Sequence, residues 1–422
     1  MTTTLIQQVR VLDPVSQTDR VADVLIEAGR LRAIARQIAP PASAERVNGH
    51  DKVFAPGLVD LYSHSGEPGF ESRETLNSLQ QAAIAGGFTR VGLSPTGHPV
   101  SDHPAAVAQR QRLGLFPWGA LTLGAQGQQM SDLVELAAAG VVGFTDMSPI
   151  NHWLLLRRLL EYAQPLGKPI AIWPCSQMLA TGAAREGEDS LRLGLPGTPA
   201  IAETTALAAL VECVAAIGTP VHIMRVSTAR SVVLIAQAKA AGLPVTASTT
   251  WMHLLFSTAD LDTYDPNLKL DPPLGTGTDQ QALIAGVEAG TIDAIAIDHA
   301  PYTYEEKTVP FSLAPPGAIG LELALPALWQ QFVASEQWSA LQLWQCLSQQ
   351  PALCLAQEPP TLVIERPLEA VLFDPQRLWP VEANTLKSRS SNTPWLGKTL
   401  TGQVLQTWSG LNWVCASKAR HP

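Results

Sequence analysis

The stretch FAPGLVDLYSHSGEPGFESRET, from Phe54 to Thr75, contains the change of pattern from which the architecture follows. Its apolar first half is typical of a short strand, and the helical pattern ETLNSLQQAAIAGG begins at its end. Two histidines one residue apart at the end of such a strand would lie on one face and converge on a metal ion. This chain has Tyr62-Ser63-His64 there, so the stretch marks either a metal site that lacks one ligand or no metal site.

Short apolar strands continue to alternate with longer helical stretches after this segment, about eight times, as far as IDAIAID. This alternation predicts an α/β fold with a (β/α)8 TIM barrel at residues 55–359. Residues 1–54 and 360–422 have a β pattern instead, and we expect them to form one composite β-sandwich domain. The strands predicted in the second range are TLVIERP, LEAVLFDP, GQVLQTWSG and LNWVCAS.

The composition excludes several classes of partner. A net charge of −9 argues against nucleic acid and anionic membranes, because both reward clustered Lys and Arg. The sequence has no run of 18 apolar residues, and its N-terminus lacks the layout of a signal peptide. The five cysteines are scattered, form no CxxC pair and are expected to be reduced thiols. These features predict a cytoplasmic protein.

Seven long motifs, spread in order over nearly the whole chain, resemble those of one family. They are PGLVDLYSHSGEPGFESRET, AAIAGGFTRVGLSPTGHPVSD, GVVGFTD, RVSTARSV, YDPNLKLDPPL, IDAIAIDHAPYTYEEK and APPGAIGLELALP. The chain resembles dihydroorotase, in the cyclic amidohydrolase branch of the amidohydrolase superfamily. The resemblance implies an amidohydrolase barrel with a composite β domain. It also implies the reversible, zinc-assisted cyclisation of N-carbamoyl-aspartate to dihydroorotate in pyrimidine biosynthesis, with an Asp that shuttles the proton.

The resemblance also assigns metal-ligand positions, and only some of them keep a ligand here. His64, Asp146 and Asp298 match family ligands, and Asp298 is also the family's general acid/base. Three family histidines are missing, and these would supply the nitrogen ligands that zinc prefers. The residues at their positions are Tyr62, Trp173 or Pro174 depending on register, and Arg225.

The substrate-binding positions differ in the same way. The family holds the substrate carboxylate with an Arg, an Asn and a His. Gly66, Thr96 and Tyr302 stand at these positions here, and none of them is a cation. The metal subsite and the carboxylate subsite are therefore both altered.

We expect the guanidinium of Arg225 to project into the former metal space and to neutralise Asp146 and Asp298. A first hypothesis is thus a catalytically inactive dihydroorotase-like protein with a structural or regulatory role and no bound cofactor. Related non-catalytic chains suggest aspartate transcarbamoylase as its partner, and the fold class suggests a homo-oligomer, most simply a dimer. The alternatives are an active dihydroorotase or cyclic amidohydrolase with a reduced, unusual zinc site, which could use His64, Asp146 and Asp298, and a small-molecule binding protein that uses the remodelled pocket.

Overall fold

The computed structural model describes residues 3–112 and 114–410. The strands are β1 (Thr3–Asp13), β2 (Thr18–Glu27), β3 (Arg30–Ala35), β4 (Ala44–Asn48), β5 (Val53–Pro56), β6 (Leu58–Ser63), β7 (Phe88–Leu93), β8 (Leu115–Pro117), β9 (Ala171–Ile172), β10 (Ala184–Arg185), β11 (Gly197–Thr198), β12 (Val221–Ile223), β13 (Val245–Thr250), β14 (Ala294–Ala296), β15 (Glu369–Pro380) and β16 (Thr399–Ser409). The α-helices are α1 (Leu76–Ala85), α2 (Pro104–Arg110), α3 (Leu133–Ala138), α4 (Trp153–Ala163), α5 (Glu188–Arg192), α6 (Ile201–Ile217), α7 (Ala229–Ala240), α8 (Trp251–Leu255), α9 (Gly277–Glu288), α10 (Tyr304–Lys307), α11 (Ala324–Leu328), α12 (Ala340–Trp344) and α13 (Gln350–Cys354). Short 3₁₀ segments occur at Leu123–Ala125, Gln164–Leu166, Thr258–Thr263 and Pro266–Leu268, and π-helical turns extend α11 and α12 at Trp329–Val333 and Gln345–Gln349.

Strands from both ends of the chain share one sheet. Its order is β16-β15-β5-β1-β2-β3, and β4 pairs with β1 alongside β5. Apolar side chains from both ends, including Ile6, Val24, Phe54 and Leu372, pack in one buried cluster against it. The joint contribution of the two termini agrees with the β pattern of the sequence, whereas the sandwich arrangement and the boundaries stay a prediction.

The four strands predicted after residue 360 have different outcomes. LEAVLFDP lies in β15 and GQVLQTWSG in β16, whereas LNWVCAS lies outside the described residues. The strand predicted at TLVIERP is wrong, because no strand occurs at residues 361–367 apart from one bridge between Pro367 and Arg30. The start of this segment is bound by a side chain instead. Asp13 accepts hydrogen bonds from the hydroxyl of Thr361 at 2.7 Å and the backbone N–H of Leu362 at 3.1 Å.

The centre of the molecule is a parallel barrel. β6, β7 and β8 pair in parallel, as do β9, β12, β13 and β14, and Phe144 links the two groups through bridges to Gly119 and Ile170. Between β6 and β14, the backbone N–H of His64 donates to the carbonyl of His299 at 2.7 Å. The N–H of Ile297 donates to the carboxylate of Asp60 at 2.8 Å. These contacts close the ring, and the predicted (β/α)8 barrel is confirmed.

Local sequence explains how the first strand–helix unit is held. Every residue of β6 is buried, and the indole N–H of Trp118 donates to the carbonyl of Leu61 at 2.9 Å. Thr75 caps α1, because its hydroxyl accepts from the backbone N–H of Ser78 at 3.0 Å and the Ser78 hydroxyl accepts from the backbone N–H of Thr75 at 2.9 Å, which makes a capping box. The loop from Ser63 to Thr75 is thus fixed at both ends, at the face where barrels carry their chemistry.

Two expectations from composition concern the described part of the chain. No helix within residues 3–112 and 114–410 is long and apolar enough to cross a membrane. Free thiols are present at Cys175, Cys213, Cys346 and Cys354, while Cys415 lies outside the described residues.

Candidate functional site

A cavity of about 460 Å³ opens at the carboxyl ends of the barrel strands. This volume lies within the range of small-molecule sites. The sequence-predicted residues that line it are His64, Gly66, Thr96, Asp146, Trp173, Arg225, Asp298 and Tyr302. Pro174 is buried outside the lining, so Trp173 is the one of the two alternative positions that faces the cavity. Tyr62 is fully buried and is also absent from the lining.

The side chain of Arg225 lies at the centre of this group. Its Nη2 donates to Oδ1 of Asp298 at 2.8 Å and lies 3.4 Å from Nε2 of His64. Its Nη1 donates to the carbonyl of Met147 at 3.4 Å, and its Cζ lies 4.9 Å from the ring centroid of Trp173. The predicted ion pair between Arg225 and Asp298 is confirmed. A cation packed against an aromatic ring therefore lies beside both His64 and Asp298, which are 3.5 Å from each other.

The charges of this pair stabilise each other in a buried setting. The Arg225 side chain is 8% exposed and that of Asp298 is 15% exposed. Burial would raise the pKa of Asp298, but the charge of Arg225 and the neighbouring His64 lower it to about 2. Burial lowers the pKa of Arg225, yet Asp298 outweighs this effect and raises it. Both groups are consequently ionised across the physiological pH range.

Asp146 has a different partner, which corrects the expectation that Arg225 neutralises both acids. The Asp146 carboxylate accepts from the backbone N–H of Thr122 at 3.0 Å and from its hydroxyl at 2.6 Å. Burial raises the pKa of Asp146 to about 6, while the bonds from Thr122 oppose the shift. Two neutral donors from one residue thus hold this acid, and the guanidinium remains with Asp298.

Tyr62, which is fully buried, supports the backbone of Arg225 through a hydrogen bond. Its hydroxyl accepts from the backbone N–H of Arg225 at 3.3 Å and forms a 3.1 Å hydrogen bond with the hydroxyl of Ser248. Burial raises the pKa of the Tyr62 phenol above its usual range, so it stays neutral. Arg225 and Asp298 both have left-handed backbone, with φ of 55° and 50°. Such conformations in residues with side chains cost of order 1–3 kcal/mol each and cluster at functional sites.

The three positions that the resemblance assigns to the substrate carboxylate also make internal contacts. A Cβ at Gly66 would lie 2.1 Å from the carbonyl oxygen of Phe70, so this loop conformation leaves no room for an arginine there. The Thr96 hydroxyl lies 3.2 Å from Nδ1 of His64 and is engaged in the histidine's own support. The Tyr302 ring faces Arg73, whose Cζ is 5.0 Å from its centroid. Each position therefore serves the protein's internal contacts.

Two charged residues of the cavity wall were missed by the sequence reasoning. Arg73 brings a cation to the wall, although its Nε donates to Glu306 at 2.9 Å. Asp271 also lines the cavity, as an exposed residue. Both lie in motifs quoted for the resemblance, within SRET and KLDPPL. The charged residues of these motifs were the feature of the sequence from which Arg73 and Asp271 could have been predicted.

A probable dihydroorotase-like protein from Synechocystis sp. is 41% identical to this chain over 436 aligned positions, which cover 94% of this chain and 98% of the relative. The chain belongs to the dihydroorotase family. A dihydroorotase from Pelobacter propionicus is 38% identical, with 96% of this chain and 97% of that protein aligned. The model of the dihydro-orotase-like family matches residues 51–231 of this dihydroorotase-family protein.

Solved structures of the cyclic amidohydrolase branch share the fold. L-hydantoinase (dihydropyrimidinase) from Arthrobacter aurescens superposes with a TM-score of 0.84 at 21% identity, covering 99% of this chain and 96% of that one. Dihydropyrimidinase from Brevibacillus agri gives a TM-score of 0.80 at 21% identity, again over 99% and 96%. At this identity the likeness supports the α/β barrel architecture and nothing finer.

Zinc is the metal that the family implies, and the donor set here does not fit it. Nε2 of His64 and Oδ1 of Asp298 both face the guanidinium of Arg225, a cation that would repel a second one. Asp146 accepts two hydrogen bonds from Thr122, and a phenol and a guanidinium stand at positions to which the family resemblance assigns nitrogen ligands. The residues of this dihydroorotase-family protein therefore do not provide a zinc site of the kind that the family resemblance implies.

Proposed function

We propose that this dihydroorotase-family protein does not hydrolyse dihydroorotate and has a structural or regulatory role in pyrimidine biosynthesis. The observation that carries the proposal is the ion pair at 2.8 Å between Arg225 and Asp298, with His64 beside it. Asp298 is the acid that the family uses for proton transfer. Here its low pKa and its fixed partner make it a poor proton acceptor.

The energetics of the lost contacts support the same proposal. Losing one charge-assisted contact to a bound anion costs on the order of 2–4 kcal/mol. Losing an activating metal removes both a Lewis acid and a hydroxide source, which raises the barrier by several kcal/mol more. A combined loss of about 8–10 kcal/mol corresponds to about six orders of magnitude in rate. No single replacement has this effect, but changes in two subsites together do.

The partner in such a role is proposed to be aspartate transcarbamoylase, on the family resemblance alone, together with a second copy of this chain. Co-purification of the untagged chain with tagged aspartate transcarbamoylase from the same organism tests the first idea. Light scattering of the isolated protein tests the second. Recovery of about one copy of this chain for each catalytic subunit of aspartate transcarbamoylase would support the assembly role. Failure of this chain to co-purify would refute it.

A second candidate function is an active dihydroorotase with an unusual metal site. The observation that favours it is the set of relatives named dihydroorotase, which are 34–38% identical and align over nearly their whole length. The retained His64, Asp146 and Asp298 are the residues that such an enzyme would use. A third candidate is a binding protein that uses the cavity for a different small molecule.

Metal content and turnover together separate the first two candidates. The purified protein is analysed for zinc and assayed for dihydroorotate hydrolysis with and without added zinc. The proposal expects well under one equivalent of zinc per chain and turnover far below about 1 s⁻¹. One equivalent or more, together with faster turnover that Asp298→Asn abolishes, would establish the active enzyme instead. The Asp298→Asn control matters because it separates activity of this chain from a contaminating enzyme.

A further inference from the structure

A second cavity, of about 590 Å³, lies next to the one described above, and Tyr302 lines both. Its wall is formed by the turn at Pro266, by α10 and by aliphatic side chains such as Val309 and Leu396. Among the lining residues that the structure describes, Lys307 is the one with a charged side chain. A cavity of this size, with an aromatic and aliphatic wall and a single amine, has the character of a small-molecule site.

The amine of Lys307 is buried and is held by neutral groups. The residue is 5% exposed, and its Nζ donates to the carbonyl of Pro315 at 2.7 Å and to that of Pro266 at 3.0 Å. The same Nζ lies 5.3 Å from the ring centroid of Tyr302. Burial of an ammonium group without a carboxylate beside it is costly, so this environment favours the neutral amine.

The charged groups that face Lys307 do not cancel the effect of burial. Asp265 and Glu306 act to raise its pKa and Lys269 acts to lower it. Glu306 pairs with Arg73 and Asp265 accepts from the backbone of its own turn, and in the described part of the chain neither acid forms an ion pair with Lys307. Burial is the largest cause and lowers the pKa of Lys307 to about 7. About half of the molecules therefore carry a neutral amine at pH 7.

The contacts of Lys307 also suit a nucleophile. A neutral amine has two N–H groups, and the carbonyls of Pro266 and Pro315 accept both of them, which leaves the lone pair without a partner. A desolvated lysine of this kind is the type that forms Schiff bases with carbonyl compounds. Asn267, also in the lining, has a buried side-chain oxygen with no hydrogen-bond donor in the described chain. This oxygen offers an acceptor for a hydroxyl group formed beside Lys307.

We propose that Lys307 forms a reversible imine with a small aromatic aldehyde bound in the second cavity. Its Nζ attacks the aldehyde carbon and passes one proton to the carbonyl oxygen, which gives a carbinolamine whose hydroxyl can donate to Asn267. The hydroxyl then leaves as water with the second proton of the nitrogen, and the carbon–nitrogen double bond forms. After protonation from solvent the imine keeps one N–H for the carbonyl of Pro315.

The wall of the second cavity favours an aromatic ring over a strongly polar ligand, because it combines the Tyr302 ring with aliphatic side chains. Lys307 lies outside the lining of the first cavity. The inference therefore does not rest on the proposed function, and it stands or falls whatever the outcome of the dihydroorotate assay.

Reductive trapping with benzaldehyde tests the reaction on the full-length protein. Sodium cyanoborohydride reduces the imine to a stable secondary amine, and peptide mapping by mass spectrometry then compares Lys307 with the exposed Lys398 in one sample. At pH 7 Lys307 should be labelled at least about 30-fold faster, because an amine with the ordinary pKa of about 10.4 is almost fully protonated there. The ratio of the two rates should fall as the pH rises from 7, since Lys307 gains little more neutral amine above its pKa of about 7. Using a ratio removes the effect of pH on the reductant.

Two controls connect the labelling to the cavity. Benzyl alcohol has the same ring but no carbonyl group, so an excess of it should slow labelling of Lys307 and leave Lys398 unchanged. In concentrated urea the two lysines should react at similar rates, because unfolding removes both the burial and the cavity.

A variant gives a further check. Lys307→Arg keeps a cation and donors but has no amine, so the fast labelling should disappear from the peptide map. The comparison within the unaltered protein decides the matter even if this variant does not fold. The inference is overturned if folded Lys307 is labelled no faster than Lys398, or if benzyl alcohol leaves its labelling unchanged.

Discussion

Replacing Arg225 with methionine tests the ion pair that occupies the centre of the site. The pKa of Asp298 falls from an ordinary 3.8 to about 2 in the folded protein, which corresponds to about 2–3 kcal/mol of stability at pH 7. Without Arg225 the buried acid keeps only the more distant contact with His64 at 3.5 Å, so we expect its pKa to rise above the unfolded value. We therefore expect Arg225→Met to destabilise the fold by about 3–5 kcal/mol at pH 7.

The pH dependence gives the sign of the effect. In the unaltered protein the contribution of Asp298 is present above pH 3.8 and is lost as the pH falls through about 2. In the variant Asp298 takes up a proton at a higher pH, so the stability gap between the two proteins should shrink between pH 7 and pH 4. Urea unfolding followed by tryptophan fluorescence at both pH values measures this gap.

A double-mutant cycle isolates the pair from the loss of packing. Arg225→Met, Asp298→Asn and the double variant should give a coupling energy of about 2–4 kcal/mol at pH 7. The exposed pair Arg157–Glu161, with side chains 65% and 45% exposed, serves as control, and its cycle should give at most about 0.5 kcal/mol. A coupling energy at the Arg225 pair no larger than this control would refute the reasoning.

Three further predictions concern other contacts. The double variant Tyr62→His, Arg225→His should bind about one equivalent of zinc per chain, because the two substitutions place two imidazoles beside His64. Elemental analysis measures the bound zinc, and an unchanged zinc content would contradict the prediction. Burial, with a smaller effect of Lys239, lowers the pKa of His222 to about 3, so the neutral folded form loses stability as the pH falls from about 6.5 towards 3. Relative to His222→Gln, the unaltered protein should therefore lose about 2 kcal/mol between pH 7 and pH 5 in urea unfolding, and parallel curves would argue against it. Glu74→Gln should destabilise the fold by about 2–4 kcal/mol in the same assay, because the buried Glu74 carboxylate accepts hydrogen bonds from the Ser388 hydroxyl and the Arg389 backbone N–H. A change below about 0.5 kcal/mol would show that these hydrogen bonds do not stabilise the fold.

The barrel and its central ion pair could be predicted from sequence for physical reasons. Strand–helix alternation is a local pattern, and the carboxyl ends of parallel strands meet at one face wherever such a barrel closes. A buried acid needs a partner, and Arg225 at a strand end was the cation within reach of Asp298. The first inference uses a local pattern, whereas the second uses the positions that the family resemblance assigns to the ends of two different strands.

The contacts that could not be predicted from the sequence are made by residues in loops. Thr122 holds Asp146 from a segment 24 residues earlier, and neither periodicity nor motif spacing indicates this approach. Arg73 and Asp271 reach the cavity through loops whose positions are set by packing, not by a repeating pattern. The segment at residues 361–367 has strand composition, but the carboxylate of Asp13 accepts from the Thr361 hydroxyl and from the backbone N–H of Leu362, so a side chain takes the place of a strand partner there.

The hydrogen bond from the Arg225 backbone to the Tyr62 hydroxyl has an evolutionary consequence. Returning Tyr62 to histidine alone removes the acceptor that steadies Arg225 and opens space beneath it, while returning Arg225 alone leaves Asp298 without its counter-ion. Each single reversal therefore passes through a less stable protein that still has no complete metal site. Because the two replacements support each other, drift does not readily undo them one at a time. Reversal of the proposed loss of metal binding therefore needs both changes at once.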